Sequence, residues 1–427
     1  MSQEFHLSDL KRAYLVGVHS SGRDKALCEE YLQELHRLCD SYGLPVVGQI
    51  ACPIKKFDAG TYLGTGKIEE ILQISIENQV DVVIFDDEIS PHQQKNLEAL
   101  LKRPVIDRTE LILEVFAQRA QTKEAKLQIE LARVKYQFPR LKRLWTHLSR
   151  QSSSGGGHVK GEGEKQIEID RRLLRKRIER LKDEIEGIAA NRQTQRIARK
   201  RSGIPTFAIV GYTNAGKSTL MRALTHENVL VEDRLFATLD TTTRKFSLPN
   251  KQEILLVDTV GFIRKIPHTL VASFKSTLEE AVFTDILLHL VDVSHPMAEE
   301  QAKATCEVLN ELGAADRPII TVLNKIDACE DKSILMKFRA EYPRTVAISA
   351  TTQEGVEELI DLMMQEVSKL RKVLNLQIPQ SEYALVSQLL REGNIIHSEY
   401  EENDILLTVE IPFQIEHLVK KYERPKS

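Results

Sequence analysis

Short apolar runs alternate with stretches of helical periodicity along the first 120 or so positions. The strand-like runs are Tyr14–Val18, Val46–Ala51, Val82–Phe85 and Val105–Ile106, with helical patterns between them at 23–42, 67–78 and 91–102. This alternation predicts a small, largely parallel α/β sheet. From about Lys123 to Arg201 the strand signals stop. Leu127, Leu131, Val134, Phe138, Leu141, Trp145 and Leu148 step by fours and threes, and Ile167, Leu174, Ile178, Leu181, Ile185 and Ile188 step by seven and then by fours and threes. Two heptad-like seams predict two long helices packed side by side. Ser152 to Gly163, rich in serine and glycine, predicts a flexible tip, and Pro139 predicts a kink in the first helix. From Gly203 the runs Phe207–Val210, Ile254–Val257, Ile286–Val293, Ile319–Leu323 and Val346–Ile348 read as buried strands of a second, larger sheet. Asn375 to Ser427 reads strand, helix, strand, strand, helix, with a hairpin turn at Asn403-Asp404. The expected fold class is multidomain α/β. It comprises an N-terminal α/β domain (1–123), a helical hairpin with a glycine-rich loop (124–202, loop at about 152–163), a mostly parallel third domain (203–370) and a small α/β C-terminal domain (371–427).

Composition excludes several classes. With 427 residues, 42% hydrophobic and 28% charged, this is a globular chain, not a disordered or collagen-like one. No apolar run approaches the roughly 18–20 residues of a spanning helix, and Met1–Leu10 has no basic-then-apolar leader pattern. The five cysteines show no C-x-x-C spacing, which fits a reducing compartment better than a disulfide framework or a structural zinc site. The expected location is cytoplasmic, with part of the population peripheral to a membrane. The net charge of −3 conceals an asymmetry. Arg133 to Arg201 holds 20 Lys/Arg and 8 Asp/Glu, a net of +12, so the remainder carries −15. A basic arm on an acidic body points to a polyanionic partner; a solvated helical face is the plainer reading.

The third region carries the chemistry. Gly211, Tyr212, Thr213, Asn214, Ala215, Gly216, Lys217 and Ser218 match G-x-x-x-x-G-K-[ST], after an apolar strand and before the helical run that Thr219 opens. Backbone N–H groups and a helix N-terminus there can hold a triphosphate, with Lys217 on the β- and γ-phosphates and Ser218 on Mg²⁺. Asn324, Lys325, Ile326 and Asp327 follow another buried strand. The Asp327 carboxylate can accept from both the ring N–H and the exocyclic amine of guanine, a donor pair adenine lacks. Ser349, Ala350 and Thr351 follow a fifth strand, where a backbone N–H can meet the guanine O6. Asp258, Thr259, Val260 and Gly261 follow the strand at 254–257; Asp258 can hold Mg²⁺ through a water and the Gly261 N–H can read the γ-phosphate. Thr238, within Phe236, Ala237, Thr238, Leu239 and Asp240, is a candidate second hydroxyl for Mg²⁺, with Thr241–Thr243 as competitors. In this order the motifs define a GTP-hydrolysing switch, with Lys217, Thr238, Asp258 and Gly261 as its catalytic set. Phe262 stands where Ras-like enzymes place the glutamine that orients water, so a slow intrinsic rate and a partner that completes the site are expected. Asn214 is either a ligand for K⁺ or an asparagine chosen for loop geometry.

Beside these motifs stand Val105-Ile-Asp-Arg-Thr109, Phe116-Ala-Gln-Arg-Ala120, Lys126-Leu-Gln-Ile-Glu-Leu-Ala132, Trp145-Thr-His-Leu148, Asp170-Arg-Arg-Leu-Leu-Arg175, Leu235-Phe-Ala-Thr-Leu-Asp240 and Asp258-Thr-Val-Gly-Phe-Ile263. Together they resemble the HflX family of bacterial GTPases over about residues 10–370. The resemblance implies a ribosome-associated GTPase that binds the large (50S) subunit and splits stalled 70S particles under stress. It makes Thr238 the Mg²⁺ ligand and Phe236–Asp240 the first switch, and it sends the glycine-rich loop toward the peptidyl-transferase centre. The loop departs from the family pattern: Glu162 replaces a proline and Lys165 precedes Gln166. A monomer contacting rRNA through the hairpin is expected, with Arg171, Arg172, Arg175, Lys176 and Arg177 as the best phosphate contacts. Two alternatives stand beside splitting. One is a GTP-gated assembly factor for the large subunit. The other is an ATP-driven rRNA remodeller using Tyr62-Leu-Gly-Thr-Gly-Lys67, a string that a helix N-terminus after a tight turn explains better.

Overall fold

The structure, a computed structural model, describes residues 10–22, 24–140, 160–201, 203–225, 235–236, 238–239, 241–265, 282–314, 316–401, 403–412 and 415–424. The chain groups into two compact units, one of residues 1–187, 232–240 and 265–275, the other of 188–231, 241–264 and 276–427.

In the first unit, β1 (Ala13–His19), β2 (Val46–Pro53), β3 (Val82–Phe85) and β4 (Val105–Asp107) form a parallel sheet in the order β2-β1-β3-β4. Helices α1 (Asp24–Tyr42), α2 (Thr65–Glu77), α3 (Pro91–Leu101) and α4 (Arg108–Arg119) connect and follow the strands. The first three match the periodicity closely. Ser90 caps α3 with a full capping box and Pro91 at its first position, a sequence-legible start. Helix α4 was not expected: Asp107 ends β4 and caps the next helix by accepting from the Glu110 N–H, which leaves no loop to mark the boundary. Asp86, just past β3, is buried and accepts from Arg108 at 2.9 Å; Arg108 also pairs with Glu34. Lys265 reaches Asp86 at 3.0 Å and pairs with Asp87. The Tyr62–Lys67 string is the end of a turn and the first three residues of α2, with Gly64 at the helix N-cap, Tyr62 at φ +66 and Asp58 accepting from the Gly60 and Thr61 N–H groups.

The first hairpin helix, α5 (Lys123–Gln137), buries Leu127, Leu131 and Val134 as its seam requires. It ends sooner than expected, passing into a 3₁₀ turn at Phe138–Arg140, because Pro139 has no N–H to continue the ladder. Trp145, Leu141, Leu148 and residues 152–159 lie outside the described residues. The second, α6 (Lys160–Arg201), begins inside the stretch expected to be loop, so 160–163 are helical. Extending an existing helix adds one hydrogen bond per residue, which offsets a glycine cost of about 1 kcal/mol each. Leu181 on its seam is fully buried. Arg177 meets Glu130 of α5 at 2.5–2.8 Å, and the Arg175 guanidinium lies 5.7 Å from the Phe138 ring centroid.

In the second unit, β5 (Thr206–Gly211), β6 (Thr242–Ser247), β7 (Glu253–Asp258), β8 (Ile286–Asp292), β9 (Ile319–Asn324) and β10 (Thr345–Ala347) form a sheet in the order β10-β9-β8-β5-β7-β6. All its pairings are parallel except β6 with β7. The sheet is therefore mostly parallel, with one antiparallel edge strand whose polar sequence had hidden it. Helices α7 (Lys217–Thr225), α8 (Ala298–Glu311), α9 (Ser333–Glu341) and α10 (Val356–Lys369) accompany it. Phe207, Ile209, Leu220, Met221, Leu256, Leu288, Ile320, Leu359 and Met363 belong to its core. The C-terminal segment follows the expected order: β11 (Arg371–Pro379), α11 (Tyr383–Glu392), β12 (Asn394–Glu401), β13 (Asp404–Pro412) and α12 (Glu416–Val419). Its three strands are antiparallel, in the order β11-β13-β12.

Candidate functional site

The site is built at the carboxyl ends of β5, β7, β8, β9 and β10, the place where open α/β sheets bind ligands. Between β5 and α7 the chain makes the tight P-loop turn. Asn214 takes φ +62 and Gly216 φ +93. Gly216 cannot carry a side chain, because a Cβ there would run into the Asn324 amide. Asn214 is exposed and left-handed, which fits an asparagine chosen for backbone geometry.

Lys217, the first residue of α7, is buried and donates to the carbonyls of Gly211 (3.1 Å) and Tyr212 (2.7 Å). Burial pulls its ammonium down to about 8, against the opposing charge of Asp258. Ser218 donates to Asp258 Oδ2 at 3.0 Å, so the two oxygens expected to serve one Mg²⁺ are neighbours. Asp258 is itself buried at the end of β7. A hydroxyl beside a carboxylate is a hard oxygen set that suits Mg²⁺. Thr259 donates to the Ile209 carbonyl at 2.7 Å and ties the Asp258 loop to the central strand.

The loop after Asp258 lies against the P-loop. The Thr213 N–H donates to the Phe262 carbonyl (2.7 Å), and the Phe262 N–H donates to the Gly211 carbonyl (3.0 Å). A Cβ on Gly261 would come within 2.8 Å of Thr213 Cγ2 and 2.9 Å of Lys217 Nζ, so only glycine fits. Phe262 is buried.

The candidate base-reading motifs also converge. Asn324, buried at the end of β9, donates to the Ala215 carbonyl (2.8 Å) and accepts from the Ala350 N–H (2.9 Å). One side chain thereby joins the P-loop to the Ser349–Thr351 loop. Lys325 takes φ +67 and pairs with Asp292 at 2.6 Å. Asp327 is exposed, in a 3₁₀ turn with Ile326. The Ser349 hydroxyl accepts from the Thr352 N–H (3.1 Å) and holds the loop that presents Ala350.

The first-switch candidates fall in the other unit. The Leu235 N–H donates to the Ser41 hydroxyl at 3.0 Å. Phe236, at φ +57, stands edge-on to Phe116 with ring centroids 4.5 Å apart. Thr238 is partly exposed and Leu239 is buried, whereas Ala237 and Asp240 lie outside the described residues. Among the candidate phosphate contacts, Arg172, Arg175 and Lys176 are exposed on α6; Arg177 is instead engaged by Glu130.

Asp292, the anchor of Lys325, was not among the candidates, although it breaks the apolar run at 286–293. Tyr212 was one, as a P-loop residue, but nothing local marked that its hydroxyl accepts from the Arg264 N–H at 2.7 Å.

Comparison with known proteins gives three consecutive family matches: "GTP-binding GTPase N-terminal" over residues 29–117, "GTP-binding GTPase Middle Region" over 119–199 and "50S ribosome-binding GTPase" over 206–325. The chain is 47% identical over 411 residues to the GTPase HflX of Chlamydia pneumoniae, covering 96% of this chain and 87% of the relative. It is 43% identical over 416 residues to the GTPase HflX of Lacrimispora saccharolytica, covering 97% of each. Among solved structures it is similar to a GTP-binding protein from Sulfolobus solfataricus in complex with GDP, at 27% identity and a TM-score of 0.45, covering 84% of this chain and all of that one.

Proposed function

Because this chain belongs to the HflX family of GTPases, we propose that it binds the large ribosomal subunit and uses GTP to separate stalled 70S particles. The observation that carries the reading is a GTPase site on the same chain as a long helix presenting Arg172, Arg175 and Lys176 to solvent. Exposed guanidinium and ammonium groups on a helix suit rRNA bound through shape and phosphates, not base sequence. The description of the family matched over 206–325 as a 50S ribosome-binding GTPase supports the same partner.

In this reading Lys217 holds the β- and γ-phosphates, and the P-loop backbone from Gly211 to Thr219 cradles the chain of phosphates. Ser218, with Asp258 acting through a water, would hold Mg²⁺, which would supply charge neutralisation to the phosphates. Asn324 fixes the base pocket and Asp327 accepts from guanine, while Lys325 and Ile326 line it. The Ala350 N–H, set by Ser349 and Thr351 on either side, faces O6. Gly261, with Asp258, Thr259 and Val260, reads the γ-phosphate. Phe236–Asp240 forms the first switch. Phe262 offers no hydrogen bond to an attacking water, so turnover is slow alone and a bound ribosome completes the site. The protein acts as a monomer in the cytoplasm.

Co-sedimentation tests the partner. The protein should pellet with isolated 50S subunits in the presence of a non-hydrolysable GTP analogue, and much less with 30S subunits or with GDP. Deleting 155–163 should leave nucleotide binding intact and impair subunit separation. Equal binding to both subunits in all nucleotide states would reject the reading.

A further inference from the structure

Thr213, the third residue of the P-loop, is buried, with 7% of its surface exposed. Its backbone is fixed, since the N–H donates to the Phe262 carbonyl at 2.7 Å. Its hydroxyl has no hydrogen-bond partner among the described residues. Buried side-chain hydroxyls are almost always paired, because leaving one unpaired is costly. A valine has nearly the same shape and would avoid that cost. The hydroxyl therefore serves something other than the stability of the fold.

Its surroundings show what. A Cβ built on Gly261 would lie 2.8 Å from Thr213 Cγ2 and 2.9 Å from Lys217 Nζ, so the threonine methyl and the ammonium border one small space beside Gly261. A single staggered step about χ1 brings Oγ1 to where Cγ2 stands. Lys217 and Gly261 are the groups assigned to the γ-phosphate, and the buried Phe262 beside them has no side-chain group to hold a water. We infer that Thr213 is a catalytic residue whose hydroxyl holds the attacking water against the γ-phosphate, in the role a glutamine fills in Ras-like enzymes. Oγ1 accepts from one O–H of that water and donates to a γ-phosphoryl oxygen. The water oxygen forms the new bond to phosphorus, and the bond from phosphorus to the β–γ bridging oxygen breaks. One water proton passes to a γ-phosphoryl oxygen and the other stays on the transferred oxygen, so both leave on the released phosphate. Thr213 orients the water and keeps its own proton. The inference rests on the γ-phosphate roles of Lys217 and Gly261, and not on the ribosomal partner.

The test uses the full chain without ribosomes. It measures single-turnover hydrolysis at saturating GTP, and binding of GDP and of a non-hydrolysable GTP analogue. Thr213→Val should hydrolyse about tenfold more slowly, the worth of one well-placed hydrogen bond, with GDP affinity held within about twofold. Without nucleotide it should melt at a higher temperature than the wild type, because an unpaired buried hydroxyl has been removed. Thr213→Ser, which keeps the hydroxyl, should recover most of the rate. A wild-type rate in Thr213→Val, equal losses in the valine and serine variants, or a lower melting temperature with GDP and analogue weakened together, overturns the inference. Lys217→Ala separates that failure from failure of the site itself. If Lys217→Ala loses the analogue while Thr213→Val hydrolyses normally, only the role of Thr213 falls; undiminished analogue affinity in Lys217→Ala removes both.

Discussion

Ser218 Oγ and Asp258 Oδ2 lie 3.0 Å apart, although 40 residues separate them in sequence. β5 and β7 are adjacent and parallel, with Ile209 opposite Asp258, so the residues just beyond them share one edge of the sheet. The pair is the local reason to expect Mg²⁺ at this edge. Ser218→Ala should weaken Mg²⁺ support of hydrolysis by at least about tenfold, since even outer partners of metal sites cost that much. Titrating the hydrolysis rate with MgCl₂ checks this.

Lys217 is held near 8 by burial. Its folded pKa lies below the ordinary lysine value, and bound phosphates pull it back up, so nucleotide binding takes up a proton as pH rises past 8. Affinity for GTP should be flat below pH 7 and fall about fourfold by pH 8.5. Isothermal titration at several pH values measures the slope, and Lys217→Arg, which stays charged, should flatten it.

Asn324 spans Ala215 and Ala350. Asn324→Ala leaves a buried carbonyl and a buried N–H unmatched, at about 1–3 kcal/mol. It should lower thermal stability and weaken GTP and GDP alike. Asp327→Asn should instead leave stability nearly unchanged, because Asp327 is exposed. It should shift preference from guanine toward xanthine nucleotides, read by competition binding.

His289 lies buried in β8, its imidazole pushed down to about 4 by burial, with the Tyr342 ring edge-on at 6.5 Å. A base with a depressed folded pKa stabilises the fold above its unfolded value near 6.5 and loses that contribution as pH falls toward 4. His289→Leu should flatten the decline of denaturation midpoint between pH 6.5 and 4, as followed by urea unfolding.

Much of this architecture was legible because its signals are local. The P-loop is eight contiguous residues after an apolar strand, and the α5 seam is a heptad repeat. What escaped depends on long-range geometry or on weak local contrast. Strand β6, Thr242–Ser247, is a polar edge strand with no apolar run to mark it. Helix α4 abuts β4 through Asp107 without a turn. The Asp58-anchored turn before α2 reads as half a phosphate loop from composition alone. The Tyr212–Arg264 bond joins positions 52 apart through the path of a loop that no periodicity encodes.

Coupling of GTP to separation of ribosomal subunits is tested most directly by sedimentation of purified 70S particles incubated with the protein and a non-hydrolysable GTP analogue. Free 30S and 50S peaks, absent with GDP and with Lys217→Ala, are expected. Intact 70S particles under all conditions, with 50S precursors accumulating in a deletion strain, would contradict splitting and favour an assembly role.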